Sequence, residues 1–231
     1  MTSSAEWAQD APLARHPESL PALERSLLDA LDAALGRLDA TVRPLRAVDA
    51  DAVSQIAGAD AHRPAVRAAL HQDLVALLAL KPASAGELRV IAALLHIVPC
   101  IERIVAQCAV MADLMPELGG GAAAAAGLRA EVARLEQLTR AQVADARQAL
   151  AVRDIAVAEQ LPGRAMLVSS VISAIAWSPA IAGRDPEARR LAAVVVVVTN
   201  ALEQISEDAV EIAEQVVAMT CGLFQELAGG A

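Results

Sequence analysis

The sequence predicts an all-α protein made of two tandem three-helix bundles that are related by internal duplication. Three observations support this fold class. Hydrophobic residues make up 56% of the chain and aromatic residues only 1%, and a chain rich in Ala and Leu favours helices over strands. Apolar residues recur at steps of three and four along most of the sequence, which is typical of amphipathic helices. One short pattern also occurs twice, at matching places in the two halves.

The first predicted repeat, residues 19–116, follows a small and polar N-terminal segment, residues 1–18, that we expect to be disordered. A second helix is predicted after Asp49, with a break near residues 58–64 because glycine and proline interrupt the pattern there. The first helix of this repeat comes before that one. It is predicted from apolar residues that would share one helical face: Leu20, Leu23, Leu27, Leu31, Leu35, Leu38, Val42 and Leu45.

The third helix is predicted to begin at a capping box and to end near Met115. The sequence from Ser84 to Glu87 places serine and glutamate three residues apart, so that each side chain can accept a hydrogen bond from the other residue's backbone N–H. Pro99 lies inside this helix, and we expect it to bend the helix because proline cannot donate the backbone hydrogen bond.

A Gly/Ala linker is predicted at residues 117–127, because three consecutive glycines disfavour a continuous helix. The second repeat, residues 128–231, then contains a fourth helix at about 128–150 and a fifth at about 152–178. We expect Pro162-Gly163 to break the fifth helix.

The sixth helix is predicted to be the longest without interruption. Asp185 is a good N-cap and Pro186 suits the first helical position, and the apolar pattern continues to Cys221 or beyond. Residues 194–198 are all valine and would suit a strand, but the helical pattern on both sides favours a helix.

Charge and cysteine content exclude several classes of function. The formal net charge is −9, which disfavours binding to nucleic acid and to anionic membranes. The three cysteines form no C-x-x-C pair, so a reducing cytoplasm is the simplest setting. Residues 165–183 carry no charge, but they contain four serines and a proline. We therefore interpret them as a buried helix of a bundle and not as a membrane span.

The repeated pattern occurs once as IERIVAQCAVMAD at residues 101–113 and again as LEQISEDAVEIAE at residues 202–214. Glu102 aligns with Glu203, an offset of 101 residues (203 − 102 = 101), and the same offset pairs Arg89 with Arg190. Because three predicted helices lie on each side of the linker, duplication of a three-helix unit explains both the pattern and the helix count.

The same segments resemble a known family. Residues 78–109, LALKPASAGELRVIAALLHIVPCIERIVAQCA, resemble the first repeat of the PhoU family, which carries LALQxPxAxDLR and later LERIGDxA. Residues 189–222, RRLAAVVVVVTNALEQISEDAVEIAEQVVAMTCG, resemble its second repeat, LERIGDHAxxIAExVxxxxTG. The resemblance is specific at Gly86–Arg89, at Glu102–Ile104 and at Glu203–Gly222.

The resemblance implies a function for the chain. PhoU proteins are cytoplasmic adaptors, often homodimers, that regulate phosphate uptake and intracellular phosphate. They negatively control phosphate-starvation signalling between the ATPase subunit of the phosphate ABC transporter and a sensor histidine kinase. By this resemblance we expect a non-enzymatic regulator of that kind.

The resemblance also implies a metal site, since some family members hold divalent or iron ions between carboxylates of facing helices. By this resemblance we expect Glu203, Glu207 and Glu211 to be the metal ligands, with Glu102 and Arg103 as their counterparts in the first repeat. The sequence departs from the family pattern in three places. Its first repeat has alanine at position 106 where the pattern has aspartate, residues 59–64 contain one acid, and residues 160–165 contain none. The predicted site is therefore degenerate or lost.

Four further residues are candidates for partner contact or for structural roles: Glu87, Arg89, Arg190 and Asp208. A solvated helix face is the alternative interpretation of the glutamate stripe, and an ion pair inside the bundle is the alternative for each arginine. Two other functions are considered. One is a passive helical scaffold, and the other is a di-metal carboxylate oxidase, which is disfavoured because the chain has no Glu-x-x-His pair.

Overall fold

The computed structural model describes residues 19–46, 70–77, 83–118, 123–178 and 186–221, and these residues are helical apart from short turns and helix-flanking residues. We number the helices in chain order and call the helical residues 70–77 α2. The others are α1 (Leu20–Arg46), α3 (Ala85–Leu118), α4 (Ala123–Val152), α5 (Ile155–Ala158), α6 (Leu161–Ala176) and α7 (Pro186–Cys221). No strand occurs in the described ranges, so the predicted all-α class is confirmed.

The long helices follow the predicted pattern. α1, α3 and α7 begin and end within a few residues of the predicted positions, and the valines at 194–198 are helical. The capping box is present: Glu87 Oε2 accepts a 2.8 Å hydrogen bond from the Ser84 N–H, and Ser84 Oγ accepts one of 3.2 Å from the Glu87 N–H. α3 remains one helix through Pro99.

Two predicted boundaries are wrong. α4 begins at Ala123, inside the predicted linker, because the alanines before Gly127 are strong helix formers. The predicted fifth helix is two helices, and the break precedes Pro162-Gly163. This break falls at Glu159-Gln160, between α5 and α6. The predicted boundary between the fourth and fifth helices is present at Arg153, which adopts a positive φ of 56°, and Asp154 then caps α5 through a hydrogen bond from the Val157 N–H.

Pro162 lies in the first turn of α6, where its missing N–H would have no partner in any case. It therefore helps to begin a helix where we expected it to break one. The predicted N-terminal tail, the break near residues 58–64 and the Asp185 cap lie outside the described residues. The division of the chain into domains at residues 117–127 stays a prediction.

α6 is also more exposed than expected. Leu161, Val168 and Ile175 are buried along one side, but Met166 is 69% exposed. Within the described residues, no helix combines the length and the apolar content needed to cross a membrane.

Two antiparallel helix pairs join the halves of the chain. α3 packs along α7, and α1 packs along α4. Ion pairs cross the α1–α4 contact in opposite residue order: Arg140 with Asp39 at 2.6 Å, Arg147 with Asp32 at 2.8 Å, and Arg153 with Glu24 at 2.9 Å. α1 also packs on α3 and α4 on α7, so the buried residues of both halves form one continuous hydrophobic core.

Contacts across α3 and α7 fit an approximate two-fold axis. Arg103 donates to Asp208, and Gln107 donates to Gln204. The offset of 101 residues converts Arg103 into Gln204 and Gln107 into Asp208. Exchanging the two halves therefore converts the contact between Arg103 and Asp208 into the contact between Gln204 and Gln107. A two-fold axis produces this reciprocity.

The α1–α4 pair fits the same axis. Asp39 and Arg140 differ by the same offset (140 − 39 = 101), and they form an ion pair with each other. A residue that contacts its own counterpart lies on a two-fold axis. The fold is therefore consistent with the internal duplication that the sequence predicts.

Candidate functional site

Four side chains meet where α3 crosses α7 close to the approximate two-fold axis. We call this group, Cys100, Arg103, Asp208 and Glu211, the junction cluster. Arg103 Nε donates a 2.7 Å hydrogen bond to Asp208 Oδ1, and Arg103 Nη2 donates to Glu211 Oε2 and, at 3.4 Å, to Cys100 Sγ. Helical spacing explains the geometry, because residues three apart on α3 and on α7 lie on the same side of each helix.

The junction cluster is buried on one side and open on the other. The Asp208 side chain is only 4% exposed, whereas that of Arg103 is 49% exposed. Burial raises the pKa of Asp208 to about 6, although hydrogen bonding and charge attraction from Arg103 act in the opposite direction. Burial, with a contribution from the nearby Glu211 charge, raises the pKa of the Cys100 thiol to about 12. Cys100 is therefore a protonated and unreactive thiol at neutral pH.

Replacing Asp208 with Asn is expected to change how stability depends on pH. The pKa of this carboxyl group rises from 3.8 to about 6 on folding, so the folded chain binds the proton more tightly than the unfolded chain. Its stabilising contribution is complete below pH 3.8 and is lost as the pH rises through about 6. Between pH 8 and pH 5 the wild type should gain about 1 kcal/mol relative to the variant, because one pKa unit corresponds to about 1.4 kcal/mol.

Urea denaturation at both pH values measures this difference. Val110→Ala is the control, because it shortens a partly exposed side chain without removing a titratable group, and its pH profile should follow that of the wild type. Parallel profiles for the wild type and Asp208→Asn would contradict the raised pKa of Asp208.

The three glutamates predicted to bind a metal, Glu203, Glu207 and Glu211, have different surroundings in the structure. Glu203 Oε1 accepts a 3.1 Å hydrogen bond from Ser169 Oγ on α6, whereas Glu211 bonds Arg103 on α3. Glu207 lies between them and is exposed. The stripe therefore spans the surface of α7 from one neighbouring helix to the other, because residues four apart drift slowly around a helix.

These residues do not fit a metal cluster held between facing carboxylates. α6, which faces Glu203, contains no Asp or Glu from Leu161 to Ala176, so it offers a serine hydroxyl where such a cluster needs an acid. Hard cations require several oxygen ligands that converge on one point. Glu211 is already bound to the guanidinium of Arg103. Whether the site is degenerate or lost stays a prediction.

The other predicted residues are placed as follows. Glu87 caps α3, and Arg89 Nε donates to the Ala85 carbonyl within the same helix. Arg190 and Glu117 form a two-pronged ion pair at 2.8 and 3.0 Å between the start of α7 and the end of α3. Glu102 is half-buried on α3, one residue before Arg103. Their roles in partner contact stay predictions.

Sequence reasoning missed Cys100 and Ser169 as members of these contacts. The spacing of Cys100 and Arg103 on one predicted helix could have indicated that they share a face. Nothing in the sequence alone shows that this face meets α7. A third missed contact is buried: Ser206 Oγ donates a 2.6 Å hydrogen bond to Gln142 Oε1, which links α7 to α4.

No protein-family model and no curated protein sequence matches the chain. Two solved structures are similar to it. One is PhoU from Pseudomonas aeruginosa, with a TM-score of 0.79 and 20% identity, covering 88% of this chain and 98% of that one. The other is the phosphate transport system regulatory protein PhoU from Streptococcus pneumoniae, with a TM-score of 0.77 and 18% identity, covering 90% and 97%. The chain therefore has the PhoU fold.

Proposed function

We propose that this chain is a non-enzymatic regulator of phosphate uptake that represses phosphate-starvation signalling when phosphate is plentiful. The observation that carries the proposal is the match of the fold to nearly the whole length of two PhoU structures, one of them named a phosphate transport system regulatory protein. The PhoU-like motifs support it, since Glu102–Ile104 lies on α3 and the segment that begins at Glu203 lies on α7, and these helices form one of the two pairs that join the halves.

The proposed partners are the ATPase subunit of the phosphate ABC transporter and a sensor histidine kinase, in the cytoplasm. The acids that form ion pairs across the helix contacts, such as Asp32, Asp39 and Asp208, are neutralised by arginines of the chain itself, whereas Glu207 is exposed. On the adjoining α6, Met166 lies one turn before Ser169, the residue that contacts Glu203. Met166, Glu203 and Glu207 together form a partly apolar and acidic surface that suits a basic patch with an apolar centre.

Binding at this surface regulates a partner only if it distinguishes the partner's conformations. A regulator with higher affinity for the resting state of the ATPase shifts the ATPase toward that state by the difference in affinity. The chain then needs no chemistry of its own, which agrees with its lack of a Glu-x-x-His pair. We propose that it acts as a homodimer, which light scattering of the purified protein would establish or refute.

Deleting the gene is expected to switch on phosphate-starvation genes in cells grown with ample phosphate. The wild-type gene should restore repression, and a Glu203→Lys/Glu207→Lys variant should not, because reversed charges repel a basic partner surface. Glu131→Lys is the matched control, since Glu131 is an exposed acid on α4, and it should restore repression. Reporter transcription and phosphate uptake are the two measurements.

Unchanged transcription and uptake in the deletion strain would contradict the proposed function. Affinity capture with the wild-type protein should recover the ATPase subunit or the kinase, and capture with the double variant should recover less of either. A capture that recovers neither partner would favour the passive scaffold instead.

A further inference from the structure

We propose that the junction cluster is a latent binding site for a thiophilic divalent cation such as Zn²⁺ or Co²⁺, and that Arg103 fills it as a built-in cation. The inference does not depend on the proposed function. It predicts that the wild-type chain binds no such ion there and that removal of the Arg103 guanidinium opens the site.

The ligand set is the first argument. One ligand atom each from Cys100, Asp208 and Glu211 can be chosen so that all three lie within 4.8 Å of one another. One sulfur and two carboxylate oxygens suit a borderline-soft ion that accepts four ligands, the fourth being water. The S–H bond of Cys100 breaks as the metal–sulfur bond forms, and the proton passes to the buffer. Cys100 comes from α3 and the two acids come from α7, so a bound ion would join the two halves of the chain.

A second and independent observation points to a ligand at this place. Asp208 is 4% exposed, and its second carboxylate oxygen, Oδ2, is buried without a hydrogen-bond partner among the described residues. A buried carboxylate oxygen without a donor is unfavourable. The Asp208 carboxylate therefore has capacity for a positive charge or a donor beyond those that Arg103 supplies.

Arg103 already satisfies most of this demand. Its guanidinium donates to all three potential ligands, carries a permanent charge and cannot be neutralised by losing a proton. Charge repulsion and occupied ligand atoms therefore exclude a second cation. Because the Arg103 side chain is 49% exposed, its removal would connect the three ligands to solvent and give an ion and its water ligand a path to them.

The test is a titration of Arg103→Ala and of the wild type with Co²⁺. Binding is monitored by the near-ultraviolet absorption band of a thiolate bound to Co²⁺. All proteins carry Cys221→Ser, because Cys221 is an exposed thiol that would bind Co²⁺ at the surface. Arg103→Ala should show the absorption band, bind at least about tenfold more tightly than the wild type, as expected for removal of about 1.4 kcal/mol of repulsion, and melt at a higher temperature with Zn²⁺.

Two further variants assign the signal. Adding Cys100→Ser to Arg103→Ala should abolish the band, and adding Asp208→Asn should weaken Co²⁺ binding. Arg103→Lys keeps a positive charge and should behave like the wild type. If Arg103→Ala does not fold, Arg103→Gln replaces it, because glutamine keeps hydrogen-bond donors near Asp208 without the charge.

Three results would overturn the proposal. A band in the wild type that depends on Cys100 would show that Arg103 does not exclude the ion. A folded Arg103→Ala or Arg103→Gln protein without any band would show that the three side chains do not form a cation site. Failure of both variants to fold, in the presence as well as the absence of Zn²⁺, also contradicts it, because the ion is expected to replace the guanidinium.

Discussion

Ile104→Ala and Ile205→Ala are each expected to lower the free energy of unfolding by about 3 kcal/mol, as is usual when a buried isoleucine is cut back to alanine. Both side chains are fully buried, one on α3 and one on α7. They occupy equivalent positions in the two repeats (205 − 104 = 101). Both face the continuous core that joins the halves, so the two substitutions should remove similar packing and cost similar amounts.

Urea denaturation of the two variants measures this cost. Val110→Ala is the matched control, because Val110 lies on α3 and is 43% exposed, and it should change stability far less. A large cost at one isoleucine with almost none at the other would contradict the equivalence of the two repeats. Separate unfolding transitions for the halves would contradict the single core.

Arg103→Ala is expected to lower the free energy of unfolding by about 2 kcal/mol in a buffer that contains a chelator. It removes the hydrogen bonds to the buried Asp208 and to Glu211, and leaving a buried acceptor without a donor costs about 1–3 kcal/mol. The full cost of breaking a buried ion pair does not apply, because Arg103 is half exposed and solvent screens part of the interaction.

Arg190→Ala is the matched control for this prediction. Arg190 also bridges α7 to α3, through Glu117, but this ion pair is exposed, and exposed pairs often contribute nothing measurable. Urea denaturation at neutral pH compares the two variants. Equal stability of Arg103→Ala and Arg190→Ala would mean that Asp208 does not depend on its guanidinium partner.

The helices could be predicted because their signals are local. The capping box at Ser84 and the apolar steps of α1, α3 and α7 act within one or two helical turns, and the structure follows them. The break between α4 and α5 was predicted to within a few residues, but the second break, at Glu159-Gln160, was missed because neither residue is a helix breaker and tertiary packing sets the end of α5. The prediction at Pro162 was wrong because proline has two opposite effects. It disrupts the middle of a helix but favours the first turn, and only the observed start of α6 shows that Pro162 lies in a first turn.

The candidate site could be predicted in part. The four-residue spacing of Glu203, Glu207 and Glu211 places them on one side of α7, and the resemblance to the LERIGD pattern identifies Arg103 as a motif residue. The sequence could not show which neighbour each acid meets. That depends on how α3 and α6 pack against α7, which is set by long-range packing. The offset between the repeats relates one contact between α3 and α7 to another, but only when these helices are known to pack antiparallel.

The pairing of Asp39 with Arg140 has a consequence for how the chain evolves. Two identical subunits related by a two-fold axis must present the same residue to each other at that axis, so an acid there would oppose an acid. Covalent fusion of two copies removes this restriction, because each copy then mutates independently. The attraction between opposite charges at this position is available to a tandem polypeptide and unavailable to a self-associating ancestor of half its length.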